Sequence, residues 1–124
     1  DADAGLDSLA REMTASAGRI QTLQVTAAVR DARIGRHKVR RHDYMVLGPD
    51  DGLVAVDTNR TRAVLAAIKK LKQGYELLTI YRGKELNVST AEALRGAIAA
   101  EWPDVEIEIV DGGQPHYDLL IAAE

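Results

Sequence analysis

The sequence predicts an α/β domain: a mixed sheet with one β-α-β unit and flanking helices. Three observations carry that reading. Runs rich in β-branched residues alternate with segments of helical periodicity. Turns built on glycine and proline separate them at short intervals. Two strand-like runs near 75–81 and 105–110 are joined by a single helix, which makes them parallel neighbours with a right-handed crossover. With 124 residues and 46% hydrophobic content, the chain is long enough to bury a core as one domain without staples.

The elements follow in order. Leu6, Leu9, Ala10, Met13, Ala17 and Ile20 recur at helical spacing, so the segment 1–20 holds an amphipathic helix over about 5 to 18. A strand meander occupies 21–57. Its first strand runs from Leu23 to Asp31, with Val25, Thr26 and Val29 in it, and Gly35 breaks the pattern. His37 to Arg41, Tyr44 to Leu47 and Leu53 to Val56 supply further strands, the last two separated by the turn Gly48-Pro49-Asp50-Asp51-Gly52. The remainder, 59–124, reads α-β-α-β-β. Asn59 caps a helix with Val64, Leu65, Ile68 and Leu71 on its apolar face and Gly74 as its stop. Tyr75 to Tyr81 is a buried strand. Ser89-Thr90-Ala91-Glu92 has the pattern of a capping box, opening a helix through Leu94, Ala97, Ile98 and Trp102 that Pro103 ends. Val105, Ile107 and Ile109 alternate with Glu106 and Glu108 in a half-exposed strand, and His116 to Ala123 forms the last one.

Composition bounds the chemistry. There is no cysteine, which removes disulfides, thiolate metal sites and a cysteine nucleophile, and suits a cytoplasmic protein. No apolar run approaches the roughly 20 residues that span a bilayer, so no membrane insertion is expected. The opening Asp1-Ala2-Asp3, without methionine, reads as a segment of a longer polypeptide. A net charge of −3 conceals a strong polarity. Arg30, Arg33, Arg36, Lys38, Arg40 and Arg41 crowd one short run with only Asp31 opposing them. From Glu101 to Glu124 the charges are all acidic. Such a dipolar chain can steer a partner electrostatically, although both ends also read as solvated faces.

Candidate sites are few. Neither a P-loop nor a dinucleotide fingerprint occurs, and Gly83-Lys84-Glu85 lacks the hydroxyl and upstream glycine that phosphate binding would need. Tyr81-Arg82-Gly83-Lys84 does lie at the C-terminal end of a parallel strand, where open α/β sheets bind ligands, so Arg82 or Lys84 could meet an anion. His37 and His42 fall on opposite faces of one extended strand, which defeats chelation, and no metal site is expected. No serine sits in a nucleophile elbow. The basic run could contact phosphates, but only Tyr44 offers a nearby stacking platform and the chain as a whole is acidic; a solvated hairpin is the reading, with no nucleic-acid partner. Gly112-Gly113-Gln114-Pro115-His116-Tyr117 is the most distinctive stretch. Two glycines and a proline make it a rigid, shaped turn that presents a side-chain amide and a tyrosine.

These residues carry a family resemblance. The stretch from Tyr75-Glu76-Leu77-Leu78-Thr79-Ile80-Tyr81-Arg82-Gly83 to the Gly112–Tyr117 turn resembles the C-terminal domain of the catalytic component of bacterial fatty acid kinase, a dihydroxyacetone-kinase-like family. Thr26-Ala27-Ala28-Val29-Arg30-Asp31 and Asp43-Tyr44 before the Gly48–Gly52 turn are similar to the family's pattern as well. His42, where the family often has glycine, Asp118, where proline often follows the tyrosine, and the heavier basic run are departures.

The resemblance implies a DegV-like partial fold and a single C-terminal domain, 1–124, of a longer kinase. It places ATP and magnesium in an N-terminal domain outside this sequence and no cofactor in this segment. The segment itself is then non-catalytic and docks a DegV-like fatty-acid-binding protein, alongside contacts to other domains of the same polypeptide; a homodimer is left open. Under that reading the contact residues are Tyr81, Arg82, Gly112, Gly113, Gln114, Pro115, His116 and Tyr117. Arg30 is a further candidate, with an internal ion pair near Asp31 as its other reading. The alternative is a small anion-binding or enzymatic domain that uses Arg82, Lys84 and His116 on the Tyr81–Lys84 and Gly112–Tyr117 loops.

Overall fold

The structure, a computed structural model, describes residues 20–50, 52–114 and 117–124. The helix expected over 5–18 lies outside the described residues, as do Asp51, Pro115 and His116. Within the described residues, eight strands and two helices follow in the order β1 (Gln21–Ala27), β2 (Ala32–Ile34), β3 (His37–Val39), β4 (Tyr44–Leu47), β5 (Leu53–Asp57), α1 (Arg60–Lys69), β6 (Leu77–Arg82), α2 (Val88–Glu101), β7 (Glu106–Asp111) and β8 (Leu119–Ala123). Six strands form one mixed sheet in the order β5-β4-β1-β8-β6-β7, and β2 pairs with β3 in a separate hairpin. The parallel neighbours expected from the β-α-β pattern are β6 and β7, with Leu77 opposite Glu106 and Arg82 opposite Asp111. All other ladders are antiparallel.

The core lies between one sheet face and the two helices. Leu23 and Val25 of β1, Leu78 and Ile80 of β6, and Leu119 and Ile121 of β8 meet Val64, Ala67 and Ile68 of α1 and Ala91, Leu94 and Ile98 of α2. Period-2 alternation in the strands and period-3.6 spacing in the helices bring these sets together. Central β8 is buried along its whole length, because it has a hydrogen-bonded strand on each side and covered faces. Glu106 and Glu108 of edge strand β7 are exposed, as their alternation predicts.

Asn59 caps α1 by accepting the Arg62 amide at 3.0 Å, a contact of the kind that contributes about 1 kcal/mol. The helix stops at Lys69, before Gly74, since Leu71 turns inward and Gln21 then exchanges two hydrogen bonds with the Lys72 backbone at 2.8 and 3.1 Å. The capping-box reading of Ser89 is corrected: Asn87 is the cap, and its side chain accepts the Thr90 amide at 2.7 Å. Asn87 competes well because its amide oxygen reaches the same orphan donors from two positions earlier. The first strand also ends sooner than expected, at Ala27. Beyond it Ala28 donates to the Asp43 carbonyl at 2.7 Å and accepts the His42 amide at 2.9 Å, and the chain bends into the hairpin.

Candidate functional site

The described residues of the distinctive turn, Gly112, Gly113, Gln114 and Tyr117, lie at the C-terminal ends of the two parallel strands. The Arg82 carbonyl accepts the amides of Gly112 at 2.9 Å and Gly113 at 3.1 Å. Lys84 donates its amide to the Gln114 carbonyl at 2.9 Å, and Gly83 donates to the Asp118 carbonyl at 2.8 Å. These bonds bind the loop after β6 to the segment between β7 and β8. Tyr81 and Arg82 lie beside the described part of the turn. Gly113 takes the left-handed conformation, φ 68°, that glycine tolerates. Gly83 is required for a different reason: a Cβ there would run into the backbone oxygens of Tyr117 and Asp118.

Gln114 corrects the expectation that the turn presents an amide outward. Its side chain is 1% exposed and donates Nε2–H to the Tyr81 carbonyl at 3.0 Å. Its Oε1 is buried without a hydrogen-bond partner among the described residues. The close approach of Gly112, which has no side chain to hold the amide off, draws Gln114 inward as a brace between strand ends. Arg82 is likewise turned to its own framework. It pairs with Asp111 at 3.3 Å and donates to the Leu86 carbonyl at 2.6 Å. Half-buried Tyr81 has its phenol pushed up from the ordinary value, by burial first and then by the charges of Glu124 and Glu108. Tyr117 is half-buried and Lys84 exposed.

One pairing here was not foreseen. Asp118 accepts Arg60 Nε–H at 3.2 Å and Nη2–H at 3.1 Å, with both side chains 23% exposed, and the same guanidinium lies 4.6 Å from the centre of the Tyr44 ring. Tyr44 is thus covered by an internal cation. The only sequence signal was Asp118 itself, a departure from the familiar pattern; its partner lies on another element, at the first turn of α1. Arg30 is exposed in the bend after β1 and makes no ion pair among the described residues, so its internal ion-pair reading is also corrected. Asp31 instead accepts the Arg41 amide at 2.8 Å.

Chemically, the junction is a hydrogen-bonded crossing of loop and strand ends. Its polar groups largely satisfy one another through backbone bonds, leaving Tyr117, Lys84 and Asp111 toward solvent. Among the described residues no three His, Asp or Glu side chains are placed to share a metal ion. No described helix is long and apolar enough to cross a membrane.

The X-ray structure of the Streptococcus pneumoniae fatty acid kinase (Fak) B3 protein, loaded with linoleic acid, superposes with a TM-score of 0.58. It is 19% identical, and the match covers 95% of this chain and 49% of that protein, so it is a likeness of fold. An uncharacterized protein of Staphylococcus epidermidis is 32% identical over 125 residues, covering 100% of this chain and 22% of the relative. One from Staphylococcus aureus strain USA300 is 27% identical, with 100% and 23% covered. The chain therefore spans less than a quarter of the length of the curated relatives it matches. The family model for the FakA-like C-terminal domain of fatty acid kinase matches residues 1–124, and to that family the chain belongs.

Proposed function

We propose that this chain is the non-catalytic docking domain of a cytoplasmic fatty acid kinase, holding a DegV-like acyl-binding protein so that an ATP- and magnesium-binding domain of the same polypeptide can phosphorylate the fatty acid. The observation that carries this reading is the hydrogen-bonded strand-end junction. A surface ordered before the partner arrives loses less entropy on docking. The family supports it, as does a fold shared with half of a protein that carries a fatty acid. The anion-binding alternative is weakened because Arg82, its main cation, is already engaged by Asp111 and Leu86.

Calorimetric titration of the full-length kinase with the same organism's DegV-like protein, loaded and empty, tests the reading. Saturable binding is expected, with Tyr117→Ala lowering affinity about tenfold, the scale of a modest interface anchor. Wild-type affinity in Tyr117→Ala would remove the turn from the interface. No binding in either state would sink the docking role.

A further inference from the structure

Three elements meet at Asp118. Its amide donates to the Val25 carbonyl of β1 at 2.9 Å, and its carbonyl accepts the amide of Gly83, just after β6, at 2.8 Å. Its carboxylate accepts Nε–H and Nη2–H of Arg60, in the first turn of α1, at 3.2 and 3.1 Å. The Arg60 guanidinium rests in turn over the Tyr44 ring of β4, 4.6 Å from its centre. The Arg60–Asp118 pair thereby ties α1 and the β4 side of the sheet to the residue that holds the end of β6.

Both partners of this pair are sheltered alike, at 23% exposure. In the other ion pairs of the described residues one partner is far more open: Asp111 at 72%, Arg62 at 67%, Glu92 at 53%. Open pairs are screened by water and contribute little, whereas partial burial strengthens the attraction. Both Arg60 bonds also fall on a single oxygen, Oδ2, so no second contact holds the pair once that oxygen moves away. Such a contact is strong while it is made and is lost in one step.

Gln114 supplies the second observation. Its side chain is 1% exposed and uses only Nε2–H, on the Tyr81 carbonyl at 3.0 Å. Oε1 lies against Gly112, buried and with no hydrogen-bond partner among the described residues. An acceptor in that position has lost its water without replacement and would gain from a return to solvent. What opposes that return is the set of backbone bonds made by the amides of Gly83, Lys84, Gly112 and Gly113, and the Gly83 bond ends on Asp118 itself. We infer that the Arg60–Asp118 pair is a clamp on a local conformational change of the strand-end junction. While the pair is made, Gln114 stays inward and the junction is shut. When it breaks, Asp118 releases Gly83, the Gln114 carboxamide turns to water, and the four amides open together. The clamp lies within this domain and stands apart from the docking reading, so its test needs no partner.

The test is hydrogen exchange of the full-length polypeptide, read by mass spectrometry with fragmentation that resolves single amides. Asp118→Asn keeps the size of the side chain and removes its charge. The amides of Gly83, Lys84, Gly112 and Gly113 are expected to exchange about tenfold faster, all by a similar factor. Those of Ile80 and Ile121, buried at the sheet centre, are expected to keep their wild-type rates. Arg60→Lys, which keeps the charge but loses the planar fork, serves if Asp118→Asn does not fold; a rise of about threefold is expected. Wild-type rates at the four amides in folded Asp118→Asn, or in Arg60→Lys should only that variant fold, overturn the clamp. An equal rise at the junction and the sheet centre also overturns it, because the pair would then serve global stability alone. Faster exchange at Gly83 with the other three unchanged overturns the concerted opening.

Discussion

The strand-end junction and the β2–β3 hairpin emerge from the same end of the sheet, yet they are organised in opposite ways. In the junction, backbone amides and carbonyls of residues 82–84, 112–114 and 118 bond to one another, Gln114 is buried and Arg82 is paired. In the hairpin, carboxylates serve only the backbone and six cations remain turned to solvent. The difference separates two meanings of a conspicuous sequence. The glycine-glycine-glutamine run is conspicuous because the architecture there permits few alternatives. The arginine run is conspicuous although no ion pair among the described residues accounts for it.

Stability measurements can break this contrast. The largest effect is expected for Gly83→Ala, whose methyl group would meet two backbone carbonyls that cannot step aside; a loss of about 3 kcal/mol in urea unfolding is expected. A loss below about 0.5 kcal/mol, the level of an ordinary surface change, would mean that the junction is slack. Gln114→Ala removes the brace to the Tyr81 carbonyl and should cost about 2 kcal/mol in the same assay. The hairpin pair Arg33→Glu and Lys38→Glu should alter stability by no more than about 0.5 kcal/mol, since neither side chain has a partner to lose among the described residues. A large loss there would give those cations a structural role and erase the distinction.

The smallest effect concerns acid. Asp57 is held below the ordinary carboxylate value, first by the Asn59 amide at 2.8 Å and, against some desolvation, by the Arg62 guanidinium at 3.1 Å. A depressed folded value contributes stability that is present above the unfolded value and lost as pH falls through the folded one. Asp57→Asn should therefore show a shallower acid decline than wild type when unfolding midpoints are compared from neutral pH down past the ordinary carboxylate value. Parallel declines would dismiss this contribution.

Much of the scaffold was legible because its signals are local. Asn59 precedes an apolar period of 3.6, and β7 alternates Ile with Glu; both patterns are complete within a few residues. The Ser89 cap failed on an equally local point, because Asn87 offers the same acceptor chemistry two positions earlier. The site was less legible because its bonds join residues distant in sequence. Gln114 looks presentable until the Tyr81 carbonyl arrives beneath it, and Arg60 gives no local hint of Asp118. Sequence displays the charge on Arg82 and on Arg33 in the same way. Only the fold shows that one is matched by Asp111 and the other by nothing among the described residues.

The position of β8 bears on how such a molecule can be made. The strands β5-β4-β1 on one side and β6-β7 on the other share no ladder, and Leu119–Ala123 is the segment that joins them. Its pairing with β1 connects residues from opposite ends of the described chain. Contacts of that kind form slowly because a long loop must close before they contribute. Until β8 is made, the facing edges of β1 and β6 have no strand to pair with between them. Over that interval the nascent chain is most exposed to misassembly, and it is where a chaperone would have something to hold.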